Sequence, residues 1–90
     1  MSETIEVLGV EAKQRDGSYQ ARTPLGLVLV RRHVGYGWCV LWRPQGARSR
    51  GTRSMGVHLL EDAGSPADAA REATRRLRAI QRVCARAGAL

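Results

Sequence analysis

Ninety residues leave room for one domain, which excludes a multidomain enzyme with a cleft between two large lobes. With 43% hydrophobic and 26% charged residues, the chain has the composition of a folded, water-exposed domain and not of a disordered tail or a membrane protein. Fifteen Lys plus Arg against eight Asp plus Glu give a net charge of +7, and no residue set that would name a reaction accompanies it.

The first residues carry Glu3 and Glu6 where a secretory signal needs a basic stretch and an apolar run, and no segment approaches the roughly 18 apolar residues of a membrane span, so a cytoplasmic protein without membrane contact is expected. Thr4 to Ala12 reads as a strand whose apolar parity switches beside Gly9, which a bulge there would reconcile. Asp16-Gly17 is a hairpin signal leading into a strand from Ser18 to Arg22, after which Pro24 interrupts the pattern. Leu25 to Arg32 and Tyr36 to Trp42 read as two strands of an antiparallel hairpin joined through His33, Val34 and Gly35. A basic, glycine-containing loop from Arg43 to Gly51 then leads to a strand from Thr52 to Leu60, with Met55, Val57 and Leu59 on one face.

Ser65, Pro66 and Asp68 form a helix-start signature of N-cap, first-position proline and early acid. Ala70, Ala73, Leu77, Ile80, Cys84 and Ala87 follow at alternating spacings of 3 and 4, a single apolar stripe, and Gly88 stands where a helix ends. A helix of about 66–87 is about 33 Å long and crosses a whole small sheet. The expected fold is therefore α+β, one domain over 1–90, with an antiparallel sheet of four or five strands inside 4–60 and the long C-terminal helix across one face.

The charge is segregated. Ala21 to Leu60 contains Arg22, Arg31, Arg32, Arg43, Arg48, Arg50 and Arg53 and no acid, and Arg71 to Leu90 contains six arginines against Glu72. Arginine-rich, Ala- and Gly-rich composition is also what a GC-rich genome gives ordinary proteins, but such bias does not account for forty residues free of carboxylates. That block projects a positive potential toward a polyanion. On the helix, Arg71, Arg75, Arg78, Arg82 and Arg86 fall within about 40° of the direction opposite the apolar stripe, either a phosphate-binding ridge or an ordinary solvated face.

Tyr36, Trp38, Val40 and Trp42 share strand parity beside Arg31, Arg32 and Arg43. Exposed, these aromatics would stack on bases; turned inward, they fill a core that has no Phe. In the inward case Cys39 and Leu41, joined by Val28 and Val30, form a second apolar face that calls for a homodimer or a protein partner. Cys39 and Cys84 lack metal or redox spacing and read as small buried hydrophobes, and His33 and His58 have no patterned partner, so no catalytic set, metal site or cofactor is expected. A metal-independent ribonuclease using His33 or His58 with Arg50 or Arg53 is the enzymatic alternative.

From Trp38 to Trp42, through the basic turn and the strand Arg53 to Leu60, to the Ala-rich helix, the order of features resembles the three-stranded-sheet-plus-helix DNA-binding domains, among them the arm-binding domain of phage-type tyrosine integrases and the plant AP2 domain. The resemblance covers about Leu25 to Arg82 and implies that the sheet enters the major groove, with Arg31, Trp38, Arg43, Arg50 and Arg53 touching DNA. The expectation is a non-enzymatic nucleic-acid-binding module, DNA before RNA, using Arg31, Arg32, Trp38, Arg43, Arg48, Arg50 and Arg53, with Arg71, Arg75, Arg78 and Arg82 as secondary contacts. The rival expectation is a protein-interaction module of phage or plasmid accessory type, binding an acidic protein or self-associating through the sheet.

Overall fold

The computed structural model describes residues 4–44 and 57–86. It is an α+β fold in which five antiparallel strands run in chain order across one sheet: β3 (Lys13–Arg15), β4 (Ser18–Thr23), β5 (Gly26–His33), β6 (Gly37–Pro44) and β7 (Val57–Ala63). They are preceded by a small hairpin, β1 (Glu6–Val7) with β2 (Val10–Glu11), and followed by the helix α1 (Pro66–Arg86).

The expected strand from Thr4 to Ala12 is instead this hairpin. Leu8 and Gly9 have φ of 54° and 78°, the two positive values that a tight type I′ turn requires, so the change of parity marks a chain reversal and not a bulge. The Asp16-Gly17 turn repeats the geometry, with φ of 50° and 80°, and joins β3 to β4 as its sequence predicts. Between β4 and β5 the buried Thr23 hydroxyl donates to the Gly26 carbonyl at 2.7 Å and accepts from the Leu25 N–H at 3.2 Å, closing the turn that contains Pro24. The last strand runs beyond Leu60 to Ala63, because Ala63 pairs with Trp38 after two register irregularities in the β6–β7 ladder.

Helix α1 starts as its capping signature predicts, the Asp68 N–H donating to Ser65 Oγ at 3.1 Å. Its buried face is Ala69, Ala70, Ala73 and Leu77. Three of those four side chains are a single methyl, which lets the helix settle close to the sheet, and Leu77 supplies the bulk. Opposite them lie Ala21, Val28, Val30 and Val40 of the sheet, while Ile5 and Val7 of the β1–β2 hairpin close the side of the core. The hairpin is tied down by the Leu8 N–H, which donates to Thr74 Oγ1 at 3.0 Å.

The expected grouping of Val28 and Val30 with Cys39 and Leu41 is reversed. Val28 pairs with Trp42 and Val30 with Val40, so all four face the helix, and it is Leu27 and Leu29 that share the outer face with Cys39 and Leu41. The cause is the turn: His33 pairs with Gly37 across three residues, and that register fixes the parity of the whole ladder.

Candidate nucleic-acid interface

The register reads out the side chains of the outer sheet face row by row. One row is Arg22, Leu27 and Arg43; the next is Lys13, Gln20, Leu29, Leu41 and His58; a third holds Arg31 opposite Cys39, with Arg15 and Ser18 toward the edge. Leu27, Leu29 and Leu41 are half-buried in the middle, and Lys13, Arg15, Arg22, Arg31 and Arg43 are exposed around them. No outward position of β3 to β6 carries a carboxylate, and among the described residues none of these five cations has an acidic partner within 4 Å. Neighbouring strands lie about 4.8 Å apart and alternate residues about 6.7 Å apart. At that spacing the five charges form a patch whose field adds up across β3 to β6, with Glu61 of β7 the carboxylate at its border.

The helix differs. Arg71 meets Asp68 at 3.3 Å, Arg75 meets Glu72 at 2.7 Å, and Arg76 donates to the Leu59 carbonyl at 2.6 Å while lying 4.0 Å from Glu72. The Arg75 guanidinium, by its hydrogen bond first, holds the Glu72 carboxyl below its ordinary value, and Glu72 in turn raises Arg75. Arg71, Arg75, Arg78 and Arg82 line a groove of about 670 Å³ against the β1–β2 hairpin, with Glu6 on its far wall. Half of that ridge is thus already satisfied by its own helix.

The residues expected to act together are divided by the sandwich. Arg31 and Arg43 lie on the outer sheet face; Arg32 pairs in register with Trp38, on the helix side, at the end of the sheet. Arg71, Arg75, Arg78 and Arg82 project from the helix, on the opposite side of a body whose smallest extent is 22 Å. One straight duplex cannot touch both sides. Arg48, Arg50 and Arg53 lie outside the described residues.

The shared aromatic face also separates. Trp38 and Trp42 turn toward the core, where they are half-buried, Trp38 against Tyr19 at a ring separation of 6.1 Å and Trp42 donating from Nε1 to the Leu25 carbonyl at 3.0 Å. Trp38 thus belongs to the helix side of the sheet, and at the end of the sheet it lines one recess with Arg31 and Arg32. Tyr36 is in the β5–β6 turn and is 60% exposed.

What the sequence did not signal is the convergence of both histidines. His33, at the end of β5, and His58, on β7, line one recess of about 330 Å³ with Tyr36, Cys39 and Glu61, at the Arg31 end of the outer face. Tyr36 meets the His33 ring edge-on at 5.0 Å, and His58 Nδ1 is 3.7 Å from Glu61 Oε1. Cys39 and Cys84 are free thiols, and Cys39 Sγ donates to the Glu61 carbonyl at 3.6 Å. No three His, Cys, Asp or Glu side chains among the described residues are arranged to hold a metal ion, and no described helix is long and apolar enough to cross a membrane. Comparison of the chain with protein-family models, with curated proteins and with solved structures finds no match.

Proposed function

We propose that the chain is a non-enzymatic nucleic-acid-binding module that takes the phosphate backbone on its outer sheet face. The observation that carries this reading is the set of five exposed cations, Lys13, Arg15, Arg22, Arg31 and Arg43, on a face without an outward carboxylate in β3 to β6. Each guanidinium can grip a phosphate through two parallel N–H donors, and each phosphate neutralised releases condensed counterions. Leu27, Leu29 and Leu41 supply an apolar floor for sugars or base edges between those charges. A second copy laid on this face would set arginines against arginines, so the same charge favours a polyanion over self-association.

Titration of labelled duplex, single-stranded DNA and RNA at about 50 and 200 mM salt tests the reading. Contact with about five phosphates predicts about a 500-fold loss of duplex affinity across that range, from a slope near −0.9 per phosphate. The variant Arg22→Glu, Arg31→Glu, Arg43→Glu should abolish binding, while Arg78→Glu, Arg82→Glu should leave most of it. Weak binding indifferent to the sheet arginines would overturn the reading and point to an acidic protein partner.

A further inference from the structure

The recess at the corner of the outer face has a composition unlike the rest of that face. Tyr36 is the one aromatic side chain among the described residues that is largely exposed, and it is braced edge-on by the His33 ring. Its backbone is fixed as well, the Tyr36 N–H donating to the His33 carbonyl at 3.0 Å. Beyond it stand Cys39, His58 and Glu61, the last two within 3.7 Å of each other, so one wall is flat and aromatic and the other offers a carboxylate acceptor beside an imidazole. The volume, about 330 Å³, is at the small end of ligand sites, the right scale for a single planar heterocycle. Arg31 pairs with Cys39 in the β5–β6 ladder, so a cation stands one strand away from the recess, where it lines the neighbouring one.

We infer that this recess seats one unstacked nucleobase of a single-stranded nucleic acid whose backbone lies along the arginines of the outer face. This rests on the proposed function and names its substrate class. Tyr36 stacks on the base, Glu61 accepts from an exocyclic amino group, and Arg31 takes the adjoining phosphate. A duplex keeps its bases stacked and paired and gains none of this unless it flips one out, which costs a few kcal/mol. Cytosine presents an amino donor to Glu61 and thymine does not, so the recess favours cytosine over thymine.

The test compares labelled dC12, dT12 and a 12-base-pair duplex at one salt concentration, for the wild type and for Tyr36→Ala, Tyr36→Phe, Glu61→Gln and Arg31→Glu. Tyr36 is in an exposed turn, and circular dichroism checks that each variant is folded. The inference expects single strands to bind more tightly than duplex, Tyr36→Ala to weaken dC12 about 5- to 100-fold with little change for duplex, and Tyr36→Phe to retain binding. It expects Glu61→Gln to shrink the preference of dC12 over dT12. Equal affinity for duplex, or a Tyr36→Ala loss that is absent or identical for all probes, overturns the inference while leaving the proposed function standing if Arg31→Glu still weakens every probe. Binding of no probe overturns both.

Discussion

The backbone N–H of Leu8 and the hydroxyl of Thr74 are hydrogen-bonded at 3.0 Å across 66 residues of chain, and this contact holds the N-terminal hairpin against the helix. Thr74→Val keeps the shape of the side chain and removes the acceptor, leaving a part-buried N–H without a partner. The expected cost is about 1–3 kcal/mol, read as a lower midpoint in urea denaturation, and Thr74→Ser should recover most of it. Equal midpoints for Thr74→Val and the wild type would show the hairpin is held by packing alone.

Leu77 is the one large side chain that the helix buries completely, among alanines that cannot expand to fill its place. Leu77→Ala should therefore leave a cavity and cost about 2–5 kcal/mol. Thermal or chemical denaturation measures it directly, and a loss well under 1 kcal/mol would mean that the helix collapses onto the sheet.

Gly37 and Gly17 both have positive φ, 91° and 80°, but differ in their surroundings. A Cβ on Gly37 would sit 2.8 Å from the Ala63 carbonyl oxygen, whereas one on Gly17 meets nothing within 4 Å. Gly17→Ala should cost only backbone strain, about 1–2 kcal/mol. Gly37→Ala must also push β7 aside, so it should be the more damaging of the two, and a parallel stability measurement decides the order.

Glu72 carries the pH dependence of the helix. Its carboxyl is lowered from the ordinary 4.5 by the Arg75 hydrogen bond first, against desolvation and helped by the charges of Arg75, Arg76 and Arg71. A group depressed in the folded state stabilises it above the unfolded value and loses that contribution as pH falls through the folded value. The melting temperature of the wild type should thus exceed that of Glu72→Gln at neutral pH, and the gap should close as pH falls below the ordinary carboxylate value. A gap constant with pH would show that the pair contributes nothing as ions.

The elements with explicit local chemistry were legible before the structure. Ser65-Pro66-Asp68 and the stripe from Ala70 to Leu77 define the helix, and Asp16-Gly17 defines a turn, because each encodes its own hydrogen bond or dihedral. Leu8-Gly9 was not legible, since leucine in a left-handed conformation carries none of the Asn or Asp signal of such turns and its apolar side chain reads as strand. The arginine block from Ala21 onward announced a positively charged surface, yet which arginines share a face depends on the three-residue turn between His33 and Gly37, a register that no single strand encodes. For the same reason the meeting of His33 with His58 and Glu61 is invisible along the chain, where 25 residues separate the two imidazoles.

Strand β3 is the outermost strand on its side of the sheet, three residues long, and two of its three side chains are Lys13 and Arg15. An unpaired strand edge is a template on which another chain can polymerise, and short, positively charged edges resist it, because a like-charged copy is repelled before its amides can align. Those two cations therefore disfavour pairing at the β3 edge as well as extending the patch. Replacing them with threonine would trade an ion-attracting rim for a sticky one, and fibre or aggregate growth would appear before any loss of fold.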